Sequence, residues 1–378
     1  MRRYRVALVT DFFLPKIGGV EHHMHDLARE LNRHGHETDV VCVTPGDQVT
    51  PGIREHRIAV PLYPFFDRAR GLPAVEVLEE LFRKEKYDII HTLGVSTLGP
   101  AGNFVARKLG IPSLLTVHTA LKGRELPLKA LNWVLPWAQW PTILTAVSSH
   151  VAGQLERITK REVFVLHNAI NPEVWRVVPN TPRELRITTV GRFDPNKCQR
   201  DFIRAIPGIL ARIPNHLVPK FTLIGDGPTR KRVEREARRL GVEKYTEFLG
   251  FRTREEIREI LSRSMVFVLP SIRESFAIAA LEARAVGVPV VARAPNGVVD
   301  IIEHGRHGFL FQTLEQLSEQ VAELLNNDPL RQKMSDNARQ GLDWFSWEQT
   351  IARTLDLYDL ATRRNQEAKS AADSQLPS

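Results

Sequence analysis

Cysteine is nearly absent from this chain: Cys42 and Cys198 are the two among 378 residues. Neither has a second metal-ligand residue beside it, which argues against a disulfide framework or a zinc site. Cys42 lies inside an apolar run and reads as a small core residue. No stretch approaches the roughly 18 unbroken apolar residues that a membrane-crossing helix needs. The short run 6–9, behind Met1-Arg2-Arg3, is ended by Asp11 and reads as a first strand rather than a signal-peptide core, so residence in the cytoplasm is the expectation. A G-x-G-x-x-G loop is also missing, which disfavours a nicotinamide dinucleotide. Zinc-finger, RNP and homeodomain patterns are missing too, so no nucleic-acid partner is expected despite a net charge of +8. The basic cluster Arg230, Lys231, Arg232, Arg235, Arg238 and Arg239 has helical spacing, with Val233, Ala237 and Leu240 on its apolar side, and reads as a solvated helix face.

What the chain does contain is an alternation of short apolar runs and longer amphipathic stretches. The runs at 6–10, 38–43, 88–91, 113–117, 143–147 and 163–166 are followed by a second series at 186–190, 221–224, 246–249, 266–269 and 288–291. Most are β-branched and continuous, the pattern of strands buried on both faces. Helical spacing between them predicts an α/β fold of doubly wound parallel sheets. Some eleven strands exceed the ~4–6 of an ordinary sheet, so two domains are expected. Pro172, Pro179, Asn180 and Pro182 mark the boundary. The predicted division is one Rossmann-like domain over 1–175 and a second over 184–345. A helix over 346–363 is expected to pack back towards the first domain, and 364–378 is expected to be a disordered tail.

Three loops carry the candidate chemistry. Residues 270–283 follow a strand and open a helix, the place where open α/β sheets bind ligands. There the amides of Ser275, Phe276 and Ala277 are expected as first-turn donors to an anion. Glu274 just before the helix and Glu282 two turns in could accept hydrogen bonds from sugar hydroxyls, although a cap and a solvated residue would read the same way. In residues 190–197 a strand ends at Gly191, and Arg192 and Lys197 supply two cations able to neutralise a diphosphate. In residues 15–21, Gly18 and Gly19 allow close backbone approach at the start of a helix. His118 ends the run 113–117. His22, His23, His25 and His34 share one amphipathic helix and read as surface.

Taken together these motifs resemble the retaining glycosyltransferases of GT-B fold numbered GT4. Glu274 to Glu282 matches the family's E-x7-E element, with its flanking Pro-Ser and Gly-Val-Pro-Val-Val. Arg192 and Lys197 match its G-R-x-x-x-x-K element, although Cys198 stands where the family often has Gly. The run Asp11–Glu21 comes near the branch that starts glycosylphosphatidylinositol anchors by adding N-acetylglucosamine to phosphatidylinositol. The resemblance implies two Rossmann-like domains facing a cleft, the first (1–175) binding the acceptor and the second (184–345) the nucleotide-sugar. It implies transfer from a nucleotide diphosphate-sugar, UDP- or GDP-linked, with retention and without a metal. It assigns the donor sugar to Glu274, the ribose to Glu282, the pyrophosphate to Arg192 and Lys197, and a contact near the reacting centre to His118. Donor contacts are also implied for Gly18, Gly19, Ser275, Phe276 and Ala277, and for the strand-end loops of Gly225, Phe251 and Arg252. Asn168 resembles the family's Asn-Gly loop, with Ala169 in place of Gly.

No Asp-x-Asp occurs, the pair by which metal-dependent transferases hold Mg²⁺ or Mn²⁺ on the diphosphate. No metal and no cofactor are therefore expected, the nucleotide-sugar being a co-substrate. For the acceptor, Lys122, Arg124 and Lys129 lead into Trp133, Trp137 and Trp140. That suits peripheral contact with an anionic membrane and a lipid or glycan acceptor, and core packing of the tryptophans fits equally. A sugar-nucleotide 2-epimerase of the same fold and an inactive sugar-nucleotide-binding protein remain as alternatives.

Overall fold

The computed structural model describes residues 2–16, 18–46, 50–60, 73–121, 123–134, 136–179 and 181–374. Ile17, Lys122, Asn180 and the last four residues, which the sequence reading drew on, lie outside them. The chain divides into two compact units, Met1–Ala169 with Trp347–Ser378, and Ile170–Ser346.

The first unit holds strands β1 (Arg5–Thr10), β2 (Glu37–Cys42), β3 (Arg54–Arg57), β4 (Ile89–Leu93), β5 (Ser113–Val117), β6 (Ile143–Ala146) and β7 (Val163–Val165). They form one seven-stranded sheet in the order β3-β2-β1-β4-β5-β6-β7, all pairs parallel. β4 and β5 are buried at every residue, which is why their sequences read as continuous apolar runs. β3, Arg-Glu-His-Arg at the sheet edge, has no such run and escaped the sequence reading. The helix Gly19–Arg33 turns Met24, Leu27, Ala28 and Leu31 inward at helical spacing.

The second unit holds β8 (Glu184–Val190), β9 (Lys220–Ile224), β10 (Thr246–Gly250), β11 (Ser264–Leu269), β12 (Val290–Arg293) and β13 (Gly308–Phe311). Its six strands run in the order β10-β9-β8-β11-β12-β13, again all parallel. The helices Arg254–Arg263 and Leu314–Asn326 each start with a capping box, Thr253 with Glu256 and Thr313 with Gln316. The helix Arg230–Arg239 buries Val233 and Ala237. Glu236 on that helix accepts hydrogen bonds from Arg200, Arg204 and Arg239, which hold its carboxyl far below the usual range. Part of the basic cluster is thus neutralised within the unit.

Two boundaries differ from the sequence reading. The proline-rich stretch 170–183 belongs to the second unit, because backbone and arginine bonds strap it there. Ile170 N donates to Phe345 O at 3.0 Å, Arg258 donates to Val174 O at 2.9 Å, and the Arg183 guanidinium serves the carbonyls of Leu261, Ser264, Val286 and Gly287. The terminal helix runs Trp347–Asp373, well past the expected end at 363. Its Trp347, Ile351, Leu357, Tyr358 and Ala361 are buried in the first unit's core with Tyr4, Val6 and Leu8. Burial of the Ile351 and Leu357 side chains contributes roughly 1.5–3 kcal/mol each. Among the described residues no helix is long and apolar enough to cross a membrane.

Candidate functional site

In the second unit the strand order reverses between β8 and β11. β9 and β10 follow β8 on one side, and β11, β12 and β13 continue on the other. The carboxyl ends of adjacent strands at such a switch point leave a crevice for ligands. The loops after β8 and β11 meet there, with Ile272 N donating to Asn196 O at 3.0 Å. Across the same gap Lys197 Nζ lies 2.7 Å from Glu274 Oε2. The Glu274 side chain is 10% exposed and that of Lys197 33%. Residues 77 apart in the chain therefore form a charge-assisted pair at the switch point.

The β8 loop is held from beneath. Asp194 caps a short turn through the Asn196 amide, and Gln199 Nε2 donates to Gly191 O and Arg192 O at 3.3 and 2.8 Å. The β9 loop locks onto it, Phe193 N donating to Asp226 O, and is itself tied to the end of β10 by Gly225 N donating to Gly250 O. Gly225 has φ +126°, and a Cβ there would lie 2.2 Å from Gly191 O, so only glycine fits this contact. Cys198 adopts φ 52°, a left-handed conformation suited to the glycine common at this place in the resembled family. Arg192 is exposed and its side chain has no ion pair among the described residues. Phe251 is 58% exposed at the end of β10, and Arg252 donates back to its carbonyl at 2.8 Å.

The β11 loop corrects one expectation. The helix is Ile278–Ala285, and Ala277 precedes it with φ 75°. Ser275, Phe276 and Ala277 thus form the approach to the helix rather than its first turn, and Glu282 is its fifth residue, little more than one turn in. The approach is braced by the next loop, where Gly297 N donates to Glu274 O at 2.9 Å. A Cβ on Gly297 would lie 2.0 Å from Ser275 O. Asn296 donates to Ser271 O and Arg293 O and accepts from Val298 N. The Glu282 carboxyl has no hydrogen-bond partner among the described residues. Desolvation pushes it up to about 8, with the Arg254 charge opposing.

In the first unit Gly18 is extended at the start of the helix Gly19–Arg33, and a Cβ on it would lie 2.3 Å from Glu21 Oε2. At the end of β1 the buried Asp11 carboxylate accepts from Ser96 Oγ, Thr97 N and Leu98 N, capping the helix Leu98–Leu109. His118 is buried, and neither ring nitrogen has a hydrogen-bond partner among the described residues. Desolvation, then the nearby His23 and His91, hold it well below its ordinary pKa, so it is neutral at pH 7. His23 is buried, not on the surface as its amphipathic spacing suggested. Its ring lies 5.5 Å from that of His118 and stacks on Trp347 at 5.2 Å. A cavity of about 10 Å³ opens between His23, His91, His118, Thr116, Thr350 and Thr354. Asn168 is also buried, and its Oδ1 has no partner among the described residues.

The structure therefore places Arg192, Lys197, Gly225, Phe251, Arg252, Glu274 and Ser275–Ala277 on strand-end loops of the second unit, and Glu282 on the helix that follows the β11 loop. Gly18, Gly19 and His118 belong to the first. Gln199, Asn296, Asp11 and His23 escaped the sequence reading as contributors, since a side chain's hold on a distant carbonyl or ring leaves no local pattern. Among the described residues no group of three or more His, Cys, Asp or Glu side chains could hold a metal ion.

Comparison with known proteins matches two family models end to end: Glycosyltransferase Family 4 over residues 17–174 and Glycosyl transferases group 1 over 173–341. An uncharacterised glycosyltransferase of Methanocaldococcus jannaschii is 28% identical, over 94% of this chain and 98% of its own. A phosphatidylinositol N-acetylglucosaminyltransferase subunit of Arabidopsis thaliana is 24% identical, over 96% of this chain and 83% of its own. Among solved structures, Anabaena HepE in complex with UDP and glucose superposes with a TM-score of 0.73 at 20% identity, covering 98% of this chain and all of that one. With two parallel Rossmann-like sheets and both family domains in sequence, the chain belongs to the GT4-type glycosyltransferases of GT-B fold.

Proposed function

We propose that this enzyme moves a sugar from a UDP- or GDP-linked donor to a hydroxyl of a lipid or glycan, with retention of configuration and without a metal. The observation that carries the reading is the 2.7 Å Lys197–Glu274 pair at the switch point, with Arg192 exposed on the same loop as Lys197 and Glu282 on the helix that follows Glu274. Arg192 and Lys197 neutralise the departing diphosphate, the role a metal plays elsewhere. Glu274 accepts from hydroxyls of the transferred sugar and Glu282 from those of the ribose. Backbone at Phe251 and Arg252 borders the base, and the amides of Ser275, Phe276 and Ala277 border the donor sugar and phosphates. Gly18 and Gly19 leave the backbone at the start of the helix Gly19–Arg33 accessible to a phosphate or sugar. His118, neutral and unpartnered, can exchange a hydrogen bond with a sugar hydroxyl. The bond from the anomeric carbon to the phosphate oxygen breaks while the bond to the acceptor oxygen forms on the same face, and the leaving phosphate oxygen takes the acceptor's proton. A lipid acceptor is supported by the phosphatidylinositol N-acetylglucosaminyltransferase subunits among the relatives, and would set the enzyme at the inner face of a membrane.

The test is release of nucleoside diphosphate across a panel of sugar nucleotides, with and without lipid extract and in the presence of EDTA. One donor should turn over only when acceptor is added. Lys197→Ala and Glu274→Ala should each lose roughly 10²–10³ in kcat while staying folded. Wild-type turnover by both variants would reject the residue assignments, a need for added divalent metal would reject the metal-free chemistry, and release of a free epimer without acceptor would replace transfer by epimerisation.

A further inference from the structure

The stretch 121–140 offered two readings of its tryptophans, and the structure divides them. Trp137 and Trp140 are buried, at 2% and 7% exposure, whereas Trp133 is 87% exposed. Trp133 sits on the ten-residue helix Glu125–Val134, which has no buried residue. One side of this helix is served by the fold: Leu128 and Leu131 pack against a core that includes Leu121, Trp137, Val151 and Leu155. Another side carries Leu126, Trp133 and Val134, at 79%, 87% and 73% exposure, the three most exposed large apolar side chains among the described residues. Their i, i+7, i+8 spacing puts them on one stripe. A helix apolar on two sides has one side this unit leaves uncovered.

Cations border that stripe. Arg124 and Lys129 are exposed on the same segment. Arg157, exposed on the adjacent helix Ser149–Thr159, is near enough to help hold the Glu125 carboxyl below its usual range, behind the backbone bonds to that carboxyl. We propose that the helix Glu125–Val134 is the membrane-docking element of this enzyme, with Leu126, Trp133 and Val134 entering the headgroup region of an anionic bilayer and Arg124, Lys129 and Arg157 paired with lipid phosphates. Tryptophan and short aliphatic side chains above a cationic rim match an interfacial helix. A second copy of the chain is a poor occupant, because it would bring one cationic rim against another. The proposal rests on the lipid-acceptor reading for its purpose, but not for its test.

That test is binding of the full chain to vesicles, without any sugar donor, by flotation and by tryptophan fluorescence. The protein should bind phosphatidylcholine vesicles containing phosphatidylglycerol and bind pure phosphatidylcholine more weakly, with affinity falling as salt is added. Trp133→Glu should lower the affinity about tenfold or more, and Lys129→Gln roughly fivefold. Both side chains are solvent-exposed, so unchanged thermal unfolding of the variants confirms that the fold is intact. Trp344→Glu, at an equally apolar and 66% exposed position of the second unit, should bind as wild type. Wild-type affinity in Trp133→Glu, equal loss in Trp344→Glu, or no binding to anionic vesicles overturns the proposal. So does a Trp133-dependent dimer in sedimentation equilibrium, which would assign the stripe to a second copy. Binding without any lipid-dependent transfer would instead sink the acceptor reading and leave the docking surface standing.

Discussion

Replacing Glu282 by glutamine removes a carboxyl that the folded chain holds near pKa 8, against an ordinary value of 4.5. Between those values the unfolded chain has released this proton while the folded chain keeps it. The unfolded state then binds fewer protons, and stability falls as pH rises. The contribution is fully present below pH 4.5 and is lost as pH rises through about 8. A shift of about 3.5 units at 1.36 kcal/mol each sets a ceiling of roughly 5 kcal/mol. Glu282 keeps partial exposure, and solvent screening brings the expected effect nearer 2 kcal/mol. Glu282→Gln, which cannot ionise, should therefore stabilise the second unit by roughly 2 kcal/mol above pH 8 and by almost nothing near pH 5. Urea unfolding at the two pH values, read on amides of the helix Ile278–Ala285 by hydrogen exchange, measures the difference. The same carboxyl, once ionised, is a better acceptor for ribose hydroxyls, so nucleotide affinity should climb from pH 6 to pH 8 in wild type and stay flat in the variant. A gain equal at both pH values, or nucleotide binding that is flat in both proteins, would refute the reasoning.

Two further substitutions test the supports of the site. Gly297→Ala puts a Cβ 2.0 Å from Ser275 O and should displace the approach to the β11 helix. Nucleotide affinity should drop at least tenfold with little change in the first unit's hydrogen exchange, and unchanged affinity would mean the loop is slack. Arg183→Ala strands four carbonyls that its half-buried guanidinium serves and should cost the second unit roughly 3 kcal/mol in urea unfolding. A loss below 1 kcal/mol would mean that water replaces the guanidinium.

Among the described residues eleven of the thirteen strands were legible, most plainly where a strand buried on both faces must be apolar throughout, as the run 113–117 is. β3 and the four-residue β13 were not, since a partly exposed edge strand imposes no such demand. The candidate site was readable where one local stretch holds both a strand end and a helix start, as at 190–197 and 270–283. Its supports were not. Asn296 matters through bonds to Ser271 O and Arg293 O, and Gln199 through bonds to Gly191 O and Arg192 O. The four histidines of 22–34 read alike by spacing, yet His23 is buried, because Trp347 arrives from the far end of the chain to stack on it.

By itself, then, the sequence determined the alternation of strands and helices, the two-sheet division and the residue types of the strand-end loops. All three follow from local hydrophobic period and turn chemistry within windows of a dozen residues. Only the tertiary structure decided that Lys197 meets Glu274, that 170–183 joins the second unit, that the terminal helix completes the first unit's core, and that Trp133 stands outside while Trp137 and Trp140 do not. Those outcomes depend on which distant surfaces come together once the sheets form, and a side chain's own neighbours in sequence carry no record of that.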